Sequence, residues 1–283
     1  MDKSRTDQIT PETRITAASI VFVLLLAFLA LYVEPDHTDQ NFAWTILPRT
    51  SAVLIGAGYI AGAYFFARLL AGRSWHRFQA GFLPITAFTV CMLAATLLHW
   101  ARFHQGALSF YLWTIIYVLT PLAVPFLWWR NHATASRDLE EADLRLSSSV
   151  RWVLGIGAAM GTLVFVAAFI QPSILIALTP WKLTELTARV FAGWSVLTLL
   201  TTLNIAYDGR WSAARILMES AMVALALTLL ALPRIWEDFD RSKPITYAFV
   251  GGAVLTLAAF AAIHLRMDAR ARRKLVSAIG SGA

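Results

Sequence analysis

The chain has 283 residues, of which 58% are hydrophobic and 14% charged, with a formal net charge of +7 and a mean hydropathy of +0.61. Soluble domains run at roughly 45–50% apolar and about 25% charged, and the apolar excess here sits in separate long runs, so the composition excludes an ordinary soluble globular protein and predicts an all-α integral membrane protein. One cysteine, Cys91, excludes a disulfide framework, a cysteine zinc site and an iron–sulfur cluster held by this chain alone.

A bilayer core of about 30 Å takes roughly 20 apolar residues as a helix, because each backbone polar group must be satisfied inside the segment. Eight runs meet that demand: 15–33, 50–71, 80–98, 110–129, 152–170, 188–206, 213–232 and 245–265. The first follows Lys3, Arg5 and Arg14, as a secretory signal would. It is too long for a signal h-region, Asp2, Asp7 and Glu12 dilute its basic end, and Glu34-Pro35-Asp36 follows in place of a small-residue cleavage pattern, so it is expected to stay as a span.

Orientation follows from Lys and Arg, which resist translocation. With the N-terminus in the cytoplasm, 17 of the 24 basic residues fall on that side, and both termini are cytoplasmic. The other side keeps Arg49, Arg102, Lys182, Arg189, Arg234, Arg241 and Lys243, with no cluster. This bias accounts for the basic isoelectric point near 9.9, so the charge is not a nucleic-acid footprint. Trp44, Trp100, Trp181 and Trp236 near outer boundaries, and Trp75, Trp128, Trp129, Trp152 and Trp211 near inner ones, fit the same map. The basic stretch 266–274 is expected to lie against anionic headgroups, and a bacterial plasma membrane is the expected location.

Sliding the chain against itself reveals a duplication. At an offset of 137, Arg14 matches Arg151, Pro35 matches Pro172, Trp44 matches Trp181, Gly56 matches Gly193 and Gly72-Arg73 matches Gly209-Arg210. After one deletion the offset is 136, and Trp75 pairs with Trp211, Trp100 with Trp236, Phe103 with Phe239 and Arg130 with Arg266. Shared hydrophobicity would align Leu and Ala, not Trp, Arg, Gly and Pro together. The expected architecture is two tandem four-helix repeats, 1–130 and 151–266, joined by a charged cytoplasmic connector, 131–150, and followed by a basic cytoplasmic tail, 267–283. Four helices are an even number, so the repeats enter from one side and are parallel. Pro121 and Pro125 of the fourth span have no proline counterparts in the eighth and are expected to kink it.

The matched residues serve architecture, which directs attention to polar residues of one half only. Glu219 lies about six residues inside the seventh span, roughly 9 Å deep at 1.5 Å per residue, where a carboxylate needs a partner or water. Arg215 is one turn earlier, and Asn204 and Arg68 are expected at similar depth. These four, Glu219, Asn204, Arg68 and Arg215, form the candidate polar cluster, read either as the lining of a cytoplasmic cavity or as an interhelical bond with Arg68 snorkelling. On the outer side Glu185 and Arg189 have helix-pair spacing, and His99, Arg102 and His104 with Glu34, Asp36, His37 and Asp39 are polar loop residues that could form a titratable or metal-binding surface.

No cofactor, metal site or catalytic residue is expected. His76, His99 and His264 sit at span ends on mixed sides, unsuited to a haem between helices, and no lysine lies inside a span to carry retinal. Metalloprotease, nucleophile-elbow, P-loop and dinucleotide motifs are absent. The stretch Pro180-Trp181-Lys182-Leu183-Thr184-Glu185-Leu186-Thr187-Ala188-Arg189, with Gly193-Trp194 following, resembles a recurring segment of bacterial multi-pass membrane proteins of no assigned activity; the resemblance implies no reaction and transfers no site. The functional expectation is a small-solute or lipid permease or channel-like protein. The alternative is an accessory or structural subunit of a membrane complex, and after that an intramembrane enzyme. The expected partners are the lipid bilayer and a membrane protein or a second copy of the chain, without nucleic acid.

Overall fold

The computed structural model describes residues 7–133, 135 and 143–281, with side chains to residue 276. The connector charges Arg137, Asp138, Glu140 and Glu141 therefore lie outside the described residues. Eight long helices carry the chain: α1 (Pro11–Phe28), α2 (Arg49–Ala71), α3 (Gln79–Leu98), α4 (Leu108–His132), α5 (Ser148–Ile170), α6 (Glu185–Asp208), α7 (Trp211–Ile235) and α8 (Pro244–Ser281). Each predicted span falls on one of them, and all eight are long and apolar enough to cross a membrane. Among the described residues there is no strand, only two isolated bridges.

Local chemistry sets the ends. Ser147 and Thr184 accept hydrogen bonds from the backbone N–H groups of Val150 and Thr187 and so cap α5 and α6. Gly209, at φ 73°, closes α6 in the left-handed region that suits glycine. Pro35 and Pro172 follow the first helix of each half, where the chain turns into short helical segments (Pro35–His37 and Ser173–Leu178). α4 runs unbroken past Pro121 and Pro125. The eighth helix departs from expectation: it does not stop near Leu265 but continues through the basic tail to Ser281. Met267 to Ile279 contains neither Gly nor Pro and is rich in Ala and Arg, so backbone propensity carries the helix past the point where the apolar run ends.

The packing is orderly. α1 lies on α2, α4 on α3, α5 on α6 and α8 on α7, while α2–α7 and α3–α6 join the two halves. The outer helices leave large side chains uncovered, with Leu122, Val153 and Leu163 each more than 70% exposed. The closest approach of one backbone to a glycine of another helix among the described residues is at Gly56, where a Cβ would stand 2.8 Å from the Tyr32 backbone nitrogen. There α1 widens into a π turn over Leu29–Val33, a local insertion that swings Leu31 and Tyr32 against α2. Gly193, the matched glycine, faces a different neighbour, Met92 and Cys91 of α3.

Contacts at the helix ends come in pairs separated by 137 and 136 positions. Arg14 donates to Leu70 O at 2.5 Å as Arg151 does to Tyr207 O at 2.7 Å, while their second acceptors, Gly72 O and Ala206 O, do not correspond. Trp75 N donates to Asp7 O, and Trp211 N to Leu144 O, both at 2.8 Å. The two isolated bridges, Gln8 with Ser74 and Arg145 with Arg210, meet at the one-residue deletion, where Arg210 takes the bridge place of Ser74 although it matches Arg73 in sequence. At the opposite end Trp44 packs on Phe103 and Trp113 as Trp181 packs on Phe239 and Phe249.

Candidate functional site

A charge node joins α2, α7 and α8. Glu219 on α7, only 9% exposed, receives the Tyr64 hydroxyl at 2.6 Å on Oε2, and Arg68 Nη1 on the same oxygen. Arg68 Nη1 also donates to the Tyr64 hydroxyl at 2.6 Å. Oε1 faces Arg215 Nε at 3.0 Å and His264 Nε2 at 2.9 Å. Arg215 extends the network to Asp268 at 2.9 Å, which also accepts from the Trp211 indole at 3.2 Å.

Helical spacing assembles this from few elements. Tyr64 and Arg68 are one turn apart on α2, Arg215 and Glu219 one turn apart on α7, and His264 and Asp268 one turn apart on α8. Two guanidinium groups, Arg68 and Arg215, face two carboxylates, Glu219 and Asp268. Both Glu219 oxygens are engaged, so the carboxylate is poorly placed as a general base and well placed as a lock between three helices.

Of the four predicted cluster residues, Glu219, Arg68 and Arg215 meet here. Asn204 does not: its amide donates to Ala80 O at 3.0 Å and ties α6 to α3 instead. Equal depth in the span groups it with the other three, but its position around α6 points it at a different neighbour. Tyr64, His264 and Asp268 join the node without having been singled out for it by sequence. The one-turn spacing of Tyr64 from Arg68 is the signal that could have found it; Asp268 falls in the stretch expected to be tail, beyond the predicted end of the helix.

Glu219 lies next to a recess without being part of its wall. This open recess of about 470 Å³ is walled by Arg68, Arg73, Ser74, Arg77, Phe78 and Ile216, so Glu219 stands behind Arg68. A second groove of about 290 Å³ runs along α5 and α6 at Phe191, Trp194 and Leu199.

The residues of the node, drawn from both halves, are not repeated at their matched positions. By the spacing above, Tyr64 and Arg68 correspond to Thr201 and Ile205; Arg215, Glu219, His264 and Asp268 correspond to Gln79, Leu83, Trp128 and His132; and Arg77 corresponds to Ala213. Arg73 corresponds to Arg210, which Asp208 holds at 2.6 and 2.7 Å. That carboxylate keeps the Arg210 guanidinium above its ordinary pKa, against the opposing effect of burial.

The outer polar residues are dispersed among separate tasks. Arg189 approaches Glu185 at 3.5 Å but also bonds Phe169 O and His99 Nε2. His104 bonds Thr45 and Phe42 O, and Asp36 approaches Arg49 at 3.4 Å. Among the described residues no three His, Cys, Asp or Glu side chains are grouped to hold a metal ion. No family model, no curated protein and no solved structure matches this chain.

Proposed function

We propose that the chain is a multi-pass protein of a bacterial plasma membrane, with both termini cytoplasmic, that moves or presents a small solute or lipid as a permease-type protein. We further infer two tandem, parallel four-helix copies, a reading supported by the paired end contacts and by the matching helix partnerships. One observation carries the functional reading: ionisable residues with no like counterpart at their matched positions, contributed by both copies, converge on the α2–α7–α8 junction, next to an open recess, while the shared residues serve the frame. Divergence of the two copies at one junction is what a duplicated scaffold needs to acquire a task. In a bilayer, such buried ionisable groups mark a pathway or a switch more readily than a packing device.

Full-length protein reconstituted in vesicles tests it, by following fluorescent-lipid scrambling and release of trapped small solutes. The reading expects one of these to rise above protein-free vesicles and to fall with Glu219→Gln. Folded protein that moves neither, and is unaffected by the substitution, would overturn it. A reporter fused after Ala283 that is active outside the cell would overturn the orientation.

An accessory role has one observation in its favour. The apolar part of α8 is almost wholly uncovered within the chain, with Ala253 at the buried limit, and Gly251 and Gly252 have nothing within 4 Å of where a Cβ would sit. A partner helix could approach closely there.

A further inference from the structure

We propose that the recess beside the charge node is a binding site for a phosphate group, carried either by a lipid head group or by a small phosphate ester. This rests on the permease-type reading for its location at the cytoplasmic end and deepens it by naming the ligand chemistry.

Three guanidinium groups, Arg68, Arg73 and Arg77, line one opening, and Arg68 and Arg73 carry the proposal. The planar fork of arginine matches phosphate oxygens with paired, charge-assisted bonds. Arg68 is held in place from behind: both of its hydrogen bonds use Nη1, to Tyr64 and Glu219. Its Nη2 and Nε have no hydrogen-bond partner among the described residues, so the node orients the guanidinium and leaves donors for a ligand. Arg73 is exposed and makes no hydrogen bond or ion pair among the described residues.

The rest of the wall is apolar, from Phe78 and Ile216, with Ser74 as a further donor. A volume of about 470 Å³ lies within the roughly 300–1,000 Å³ of small-ligand sites, larger than a bare inorganic ion needs. Basic donors beside apolar walls suit an amphipathic phosphate. Gly72 lets the Phe78 ring lie against the backbone at the wall, since a Cβ there would meet the ring at 2.6 Å.

The other copy supplies an internal control. At the corresponding positions it has Ile205 for Arg68 and Ala213 for Arg77, and its Arg210 is bound to Asp208. Architecture alone did not require three arginines at this spot, because the same frame is built without them.

The test measures binding of three probes to the full-length protein in an uncharged detergent: short-chain phosphatidic acid, glycerol 3-phosphate and short-chain phosphatidylcholine. The expected result is preference for a phosphate monoester over phosphatidylcholine, and about a tenfold loss in Arg73→Ala, as for one charge-assisted contact. Arg73→Lys should recover part of it, and Arg130→Ala, which removes another exposed arginine, should leave it unchanged. Binding of phosphatidic acid alone identifies a lipid ligand; equal binding of glycerol 3-phosphate identifies a soluble ester. Affinity unchanged in both Arg73→Ala and Arg77→Ala, or no preference over phosphatidylcholine, overturns the site. Vesicle transport that persists while the probes fail to bind sinks this site alone, whereas probe binding without any transport sinks the permease reading alone.

Discussion

Arg189 and Arg234 perform one task from unrelated positions. Arg189 of α6 donates to Phe169 O and Ile170 O at the end of α5, and Arg234 of α7 donates to Tyr32 O and Val33 O at the end of α1. Those carbonyls correspond in the two halves, while the arginines do not. A helix end with unsatisfied carbonyls needs a cation or donor, and each half finds one where its neighbours allow.

The two caps should differ in strength. Arg189 is largely covered, its side chain 14% exposed, and Arg189→Ala should cost about 1–2 kcal/mol. Arg234 is exposed, and its loss should cost about 0.5 kcal/mol. Thermal unfolding of the two variants in the same detergent checks the order; a larger loss for Arg234→Ala would contradict it.

His99 gives a pH dependence. At the end of α3 it is held below the ordinary histidine value, first by burial and then by the Arg189 guanidinium at 2.7 Å. The folded state thus binds fewer protons than the unfolded state below about pH 6.5. The stabilisation is complete above that pH and is lost as pH falls through the lowered folded value. His99→Gln should flatten this decline, measured as unfolding midpoint between about pH 7 and 5; an unchanged slope would assign it elsewhere.

Glu219→Gln removes the charge that holds two guanidinium groups. Breaking a fully buried pair costs about 3–5 kcal/mol, but the Arg68 and Arg215 side chains are 37% and 39% exposed, so solvent screens them and about 2 kcal/mol is expected. Tyr64→Phe should cost about 1 kcal/mol, and the double variant less than the two together, because both act on one carboxylate. Chemical unfolding of the three variants checks this, and strict additivity would place Tyr64 outside the node.

Two glycines should respond in opposite directions. Gly56→Ala pushes a methyl against the Tyr32 backbone and should cost about 1–3 kcal/mol. Gly251→Ala meets open space and should add about 0.5–1 kcal/mol through helix propensity. Equal effects on the unfolding midpoint would remove the close α1–α2 approach as the reason for Gly56.

The spans are readable from sequence because lipid-length apolar runs admit only one local structure. Glu219 with Arg215 is readable from one-turn spacing, and Arg68 from its depth. His264 is not: at the end of an apolar run it looks like a boundary residue, and only the lean of α8 on α7 brings it to the carboxylate. Asn204 shows the complementary limit, since depth along an axis says nothing about azimuth. The tail differs from expectation for a related reason, because hydropathy marks where an apolar run ends and not where a helix does.

That uninterrupted α8 has a mechanical result. Its 38 residues make a rod of about 57 Å, pinned to Glu219 through His264 and to Asp143 O through Lys274 at 2.8 Å. The terminal segment is thus an extension of the span itself, fixed to the bundle at two points, one of them the same carboxylate that steadies Arg68.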